Sequence, residues 1–263
     1  MRVTASGLVV AGLLASVSAC AAFRQPETAA PDPIPSPAAN ATAAERPAPT
    51  GPAAATGTPV LTVEQAQAAL IGEADLGVPW TATDGTATWR DGLLKAATGQ
   101  PECQRLLESL YTDELLGAPA GPQAVAVLDD GDDEAQLRYQ VDASHAADVD
   151  RTLAWLRTLP GVCGQFAAQT TGAGTTAVRV ADAALPQVGD ARQGLRVTVT
   201  AQASPNADPT TLTVDVAVVR VGDDAIVLTA GALGTLPDDT TEQALGIGVQ
   251  RLAQVREQGR AQA

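Results

Sequence analysis

The residues of this chain that could carry thiol or metal chemistry are three cysteines, Cys20, Cys103 and Cys163, and one histidine, His145. A thiol can attack a substrate, ligate a metal ion or pair in a disulfide. A tetrahedral zinc site needs four ligands, so a cysteine pair and one histidine would still require a carboxylate. We therefore predict no metal site. Whether the cysteines are free thiols or form a disulfide depends on whether the protein is in a reducing or an oxidising compartment.

His145 directly follows Ser144 in the sequence. A serine hydrolase places its nucleophile on a strained Gly-x-Ser-x-Gly turn and orients its histidine through a third group. The chain contains no Gly-x-Ser-x-Gly segment. We predict that His145 faces solvent at the start of a helix, and we predict no catalytic residue.

The first 20 residues follow the order of an export signal. Arg2 supplies a positive charge, residues 7–15 form an apolar run, and Val17-Ser18-Ala19-Cys20 follows. The apolar run is shorter than the roughly 20 residues of a membrane-spanning helix. The last four residues resemble the lipobox of bacterial lipoproteins. This resemblance implies cleavage before Cys20 and attachment of a diacylglyceryl group to its thiol, whereas the alternative is an ordinary secretion signal with an incidental cysteine.

Cys103 and Cys163 remain as a pair once Cys20 is assigned to the lipid. Exported proteins meet an oxidising compartment, which favours a disulfide between two remaining cysteines. A bridge that closes a loop of about 60 residues stabilises the fold by about 4 kcal/mol in the chain-entropy model. A catalytic or metal-binding thiol is the competing interpretation.

Composition limits the possible partners. The net charge of −14 and pI near 4.3 disfavour nucleic-acid binding, which requires a basic surface. Residues 21–59 are rich in alanine, proline and threonine, which predicts a disordered tether with a reach of roughly 35 Å as a coil. The expected organisation is a signal peptide at 1–19, the lipidated cysteine and tether at 20–59, one folded domain at 60–258 and a disordered tail at 259–263.

The folded domain must position the cysteine pair with helices and strands. We predict helices that begin at the capping box Thr62-Val63-Glu64-Gln65, after Pro101, at Ser144 as an N-cap, and at Thr240 or Thr241. The third should stop near Pro160 and the last near Glu257. The second helix should turn Cys103 toward the core.

Alternating apolar residues predict strands at 81–88, 123–128, 135–141, 165–169, 176–180, 195–201, 212–221 and 225–229. This alternation predicts an antiparallel sheet with one face covered by helices. Helices and strands interleave without βαβ regularity, so the predicted class is α+β, with a twisted antiparallel sheet covered by helices. The acidic segment Asp129–Glu134 departs from the spacing of a calcium-binding loop, and we interpret it as a solvated hairpin turn.

Three C-terminal segments carry a family resemblance: Leu185–Asp190, Gly194–Arg196 and Val216–Asp223. With the cysteine layout and the closing helix, they resemble the PknH-like extracellular sensor domains of actinobacterial serine/threonine kinases and lipoproteins, over residues 60–258. The resemblance implies an α+β sensor fold with a cleft and a ligand. The chain differs in having one cysteine pair where the type member has two disulfides, and no kinase domain is expected.

The preferred hypothesis is a sensing or ligand-binding lipoprotein on the extracytoplasmic face of the cell membrane. It would engage an envelope ligand or a membrane protein, without a cofactor and without nucleic acid. The alternatives are an envelope hydrolase that uses paired carboxylates of raised pKa, and a lipid carrier with a large apolar cavity.

Overall fold

The computed structural model describes residues 61–119, 121–131, 134–202, 204, 206–234, 236 and 238–262. They belong to one compact unit that spans Thr56–Ala263. The predicted signal peptide at 1–19, Cys20 and the predicted tether lie outside the described residues.

The described residues form five α-helices, one π-helical turn and nine strands. The helices are α1 Val63–Ala68, α2 Glu73–Leu76, α3 Pro101–Thr112, α4 Ala146–Val162 and α5 Asp238–Gln262. The π-helical turn is Arg90–Leu94. The strands are β1 Thr81–Ala82, β2 Ala96–Ala97, β3 Gln123–Asp130, β4 Ala135–Asp142, β5 Gln165–Thr170, β6 Gly174–Ala183, β7 Ala191–Ala201, β8 Thr210–Val221 and β9 Asp224–Leu233.

All nine strands lie in one sheet, in the order β1-β3-β4-β9-β8-β7-β6-β5-β2. Every neighbouring pair is antiparallel. The short strands β1 and β2 each cover only two residues at the two edges. The prediction of an α+β fold built on an antiparallel sheet is confirmed.

The two faces of the sheet have separate cores, since side chains alternate between faces along each strand. In β8, Val214 and Val218 pack with α3 and α4, whereas Val219 packs with α5. We call these the α4 face and the α5 face. Both faces are therefore covered at the central strands β8 and β9, where the alternation had predicted one covered face.

The α4 face contains the cysteine pair. Cys103 in α3 and Cys163 after α4 are both fully buried and form a disulfide with a Cα–Cα distance of 5.5 Å. The bridge joins the first turn of α3 to the end of α4, which confirms both the predicted disulfide and the inward orientation of Cys103.

Several local expectations are corrected. The strand expected at 81–88 is limited to Thr81–Ala82. The N-cap of α4 is His145, not Ser144, and no side chain caps this helix. Helix α4 continues past Pro160 to Val162. Helix α5 runs from Asp238 to Gln262, so it begins before Thr240 and ends beyond Glu257.

Candidate functional site

The C-terminal segments that carry the resemblance meet at the loop between β6 and β7. The backbone N–H of Asp190 donates to the carbonyl of Arg220 at 2.8 Å, and the N–H of Gly222 donates to Asp190 Oδ2 at 2.6 Å. Gly189 has φ +68°, and a Cβ there would lie 2.7 Å from the Arg220 carbonyl oxygen. The loop is thus fixed against the β8–β9 turn by contacts that only a glycine permits at this point.

The beginning of the same loop is fixed by Gly194 in β7. A Cβ on Gly194 would lie 2.6 Å from the carbonyl oxygen of Ala183 and 2.8 Å from Leu185 Cγ. The missing side chain therefore lets the loop lie close to the strand. Leu185 and Pro186 become one wall of a cleft.

This cleft, which we call the face cleft, opens on the α5 face of the sheet and has a volume of about 480 Å³. Its walls are the first turn of α5 and the β6–β7 loop, and its floor is formed by β7 and β8. The residues important for its chemistry are Leu185, Pro186, Arg196, Asp215, Thr241 and Glu242. Its size falls within the roughly 300–1,000 Å³ range of small-molecule sites.

The floor carries a bidentate ion pair. Arg196 and Asp215 lie directly opposite each other in the β7–β8 register. Arg196 Nε donates to Asp215 Oδ1 at 2.7 Å, and its terminal nitrogen donates to Oδ2 at 2.8 Å. The Asp215 side chain is only 8% exposed. This geometry holds both planar groups rigidly at the base of the cleft.

Thr241 lines the same cleft, and its hydroxyl is buried. Thr241, in the first turn of α5, is 7% exposed, and its Oγ1 makes no hydrogen bond within the described part of the chain. A buried hydroxyl without a partner costs about 1–3 kcal/mol. A ligand group that hydrogen-bonded to Thr241 Oγ1 would recover this free energy, provided that it displaced the atoms that now cover the oxygen.

The candidate residues of the sequence are not brought together at this cleft. Cys20 lies outside the described residues, and Cys103 and Cys163 are in the disulfide. His145 is exposed at the start of α4, as expected, and makes no side-chain capping bond. Within the described ranges, no group of three or more His, Cys, Asp or Glu side chains could hold a metal ion.

The structure also bears on the alternative functions. Asp142 at the end of β4 is a buried carboxyl whose pKa is raised by burial. Among the described residues it accepts hydrogen bonds from the side-chain amides of Gln123 and Gln140, so it is not part of the acid pair that a carboxylate hydrolase would use. The face cleft has a charged floor, which does not match the apolar cavity of a lipid carrier.

Asp215 and Thr241 of the face cleft were not identified as site residues from the sequence. Asp215 is the one acidic residue of β8, and its position opposite Arg196 could be known only from the strand register. Thr241 was identified only as a helix start. Its burial depends on how α5 docks on the sheet.

None of the helices in the described ranges is long and apolar enough to cross a membrane.

No protein-family profile matches the sequence. No curated protein matches it either. Among solved structures, the chain is similar to the extracellular domain of PknH from Mycobacterium tuberculosis, with a TM-score of 0.45 and 11% sequence identity. The match covers 75% of this chain and 100% of that domain.

Proposed function

We propose that this protein is a lipid-anchored sensing or ligand-binding module of the cell envelope, which receives its ligand in the face cleft. The observation that carries the proposal is the buried Thr241 hydroxyl, which has no hydrogen-bond partner among the described residues and belongs to a cleft of about 480 Å³ whose floor carries the rigid Arg196–Asp215 pair. A few fixed polar groups set against the apolar walls of Leu185 and Pro186 are the arrangement typical of a small-molecule site.

The proposed location rests on the sequence and on one structural feature. The signal pattern ending at Cys20 supports a diacylglyceryl anchor on the outer face of the membrane. The buried Cys103–Cys163 disulfide is consistent with an oxidising compartment. Residues 21–59 would then separate the domain from the membrane by roughly 35 Å.

A thermal-shift screen tests ligand binding at the face cleft. The probes are water-extracted fragments of enzymatically digested cell wall. A separate cross-linking experiment on whole cells tests for a membrane protein partner. We expect a fraction that raises the melting temperature of the wild type.

The Thr241→Val variant tests whether the ligand binds in the face cleft, because it removes the hydroxyl while keeping the shape of the side chain. We expect this variant to weaken binding about 10-fold, the effect of one lost hydrogen bond in a buried site. Thr198→Val is the matched control, since Thr198 lies in β7 and does not line the cleft. No thermal shift together with no cross-linked partner, or equal binding by the Thr241→Val variant, would refute the proposal.

A further inference from the structure

A second cleft lies away from the face cleft, at the end of the sheet where β4 leads into α4. It has a volume of about 490 Å³ and lies between the segment after α3 and the first turns of α4. We call it the end cleft. The side chains that matter for its chemistry are Arg105, Asp142, Ser144, Asp148, Arg151 and Trp155.

Asp142 forms the fixed polar base of the end cleft. It is 5% exposed, and each of its two oxygens accepts one hydrogen bond of 2.7 Å, Oδ1 from Gln123 Nε2 and Oδ2 from Gln140 Nε2. A carboxylate oxygen has two lone pairs, so each retains capacity for a further donor. The two glutamine amides hold the carboxyl group in one orientation.

Trp155 and Arg105 form a second fixed element of this cleft. The Arg105 guanidinium lies over the Trp155 ring, 3.9 Å from its centroid. The indole Nε1 donates to Glu102 Oε2 at 2.8 Å, which fixes the ring. The stacked pair therefore offers guanidinium donors beside an apolar ring, a combination that can contact both the polar and the C–H surfaces of a ligand.

The charges of the end cleft are balanced. Among the described residues that line it, Arg105 and Arg151 are basic and Asp142 and Asp148 are acidic, and Asp148 pairs with Arg151. With two charges of each sign the lining has no net charge, so it attracts neither an anion nor a cation overall. A neutral ligand with many hydroxyls can donate to the carboxylates and accept from the guanidinium groups without leaving either charge unpaired.

We propose that the end cleft is a second binding site, for a neutral polyhydroxylated ligand of the saccharide class. This site is independent of the ligand in the face cleft. Its volume suits a mono- or disaccharide, and the part of the Trp155 ring that Arg105 leaves uncovered can contact sugar C–H groups.

The test is a titration monitored by two-dimensional 15N NMR and by tryptophan fluorescence. The protein is residues 20–263 carrying Cys20→Ala, which removes lipidation. The neutral probes are maltose, cellobiose and diacetylchitobiose, and the charged probes are glucuronate and glucosamine. Trp155 is the partly exposed tryptophan, since Trp80 and Trp89 are 7% and 6% exposed, so its emission should respond to binding.

We expect at least one neutral saccharide to shift the amide signals of the end cleft, and to bind about 10-fold more tightly than either charged sugar. Arg105→Met and Arg151→Gln should each weaken that binding about 10-fold, the effect of losing a charge-assisted hydrogen bond. Both residues are exposed, so the variants should fold. Arg157→Gln is the control, since Arg157 lies on the same helix outside the cleft.

Three results would overturn the inference. The first is no shift at the end cleft with any neutral sugar up to about 20 mM, a concentration that detects even weak complexes. The second is equal or tighter binding of glucuronate or glucosamine. The third is binding that the Arg105 and Arg151 variants leave unchanged. The amide signals report on residues of the end cleft alone. A negative result in this titration therefore does not contradict ligand binding in the face cleft, and a negative thermal-shift screen does not contradict saccharide binding in the end cleft.

Discussion

The hydroxyl of Tyr139 is buried beneath α5 without a hydrogen-bond partner among the described residues. Tyr139 is fully buried, and desolvation raises the pKa of its hydroxyl. The ring lies directly against Gly248, where a Cβ would be 2.6 Å from Tyr139 Cζ. The glycine at position 248 is therefore required for close packing of α5 on β4, although it sits in the middle of a helix.

Substitutions at Gly248 and Tyr139 should have different effects on the free energy of unfolding. Gly248→Ala should lower it by about 1–3 kcal/mol, because the new methyl group overpacks the Tyr139 ring. Gly246→Ala is the matched control: it lies in the same helix with no atom within 4 Å, and should raise stability by up to about 1 kcal/mol. Tyr139→Phe should be neutral or stabilising, since it removes an unpaired buried hydroxyl. Urea unfolding measures all three, and equal effects of the two alanine variants would contradict this packing.

Asp142 should make stability depend on pH. Burial raises its pKa above the ordinary 3.8, so the folded state keeps this proton to a higher pH than the unfolded state. The folded chain therefore binds more protons in the window above pH 3.8, and stability from this group falls as pH rises through the folded pKa. Asp75, whose pKa is lowered by Arg251, acts in the opposite direction.

The Asp142→Asn variant isolates this contribution. Subtracting its free energy of unfolding from that of the wild type removes the effects of other titrating groups, Asp75 included. We expect the difference, wild type minus variant, to fall as the pH rises from the ordinary value of 3.8 through the raised pKa of Asp142. A difference that is constant or rises with pH would show that burial does not raise the pKa of Asp142.

At the scale of elements, Arg251 joins the last helix to the first two. It donates to Asp75 Oδ1 at 2.7 Å and Oδ2 at 2.9 Å, and also to the carbonyl of Leu70. Asp75 in turn accepts from the N–H of Gly72 at 2.8 Å, at the start of α2. The segment from α1 to α2 is thus attached to α5 through one side chain in addition to its apolar contacts.

Arg251→Met should release this segment. We expect a loss of about 1–2 kcal/mol in global stability, because the bonds are charge-assisted but partly exposed. Hydrogen exchange should accelerate most at residues 61–79. Arg260→Met, in the last turn of the same helix, is the control and should leave exchange unchanged. Uniform acceleration along the whole chain in the Arg251 variant would contradict this local role.

Helices and strands that depend on local sequence signals were predicted from the sequence. Elements that depend on contacts between distant residues were not. The capping box at Thr62 and the alternation in β7 and β8 are local and were found. The prediction of a strand at 81–88 was wrong, because β1 pairs with β3 over only two residues. The π-helical turn that follows is held by Arg90, which donates to the carbonyls of Leu110 and Tyr111 twenty residues later.

At the scale of the whole molecule, the sequence indicated the class of the fold and the cysteine pair but not the contents of the clefts. Arg196 and Leu185 lay in the segments singled out beforehand, whereas Asp215 and Thr241 join them only through strand register and the docking of α5. Trp155 packs against the core of the α4 face and also lines the end cleft in a partly exposed position. Cleft residues come from elements far apart in the chain, so local patterns could not reveal them.

The central claim is that one thiol carries a lipid and the other two are joined to each other. Intact-mass spectrometry of the native protein after treatment with a thiol-alkylating reagent tests this directly. We predict a mature chain that begins at Cys20, carries the mass of a diacylglyceryl group, and takes up no alkylating reagent until Cys103 and Cys163 are reduced. A chain cleaved elsewhere and without lipid, or one whose two buried cysteines are alkylated without reduction after denaturation, would contradict the account.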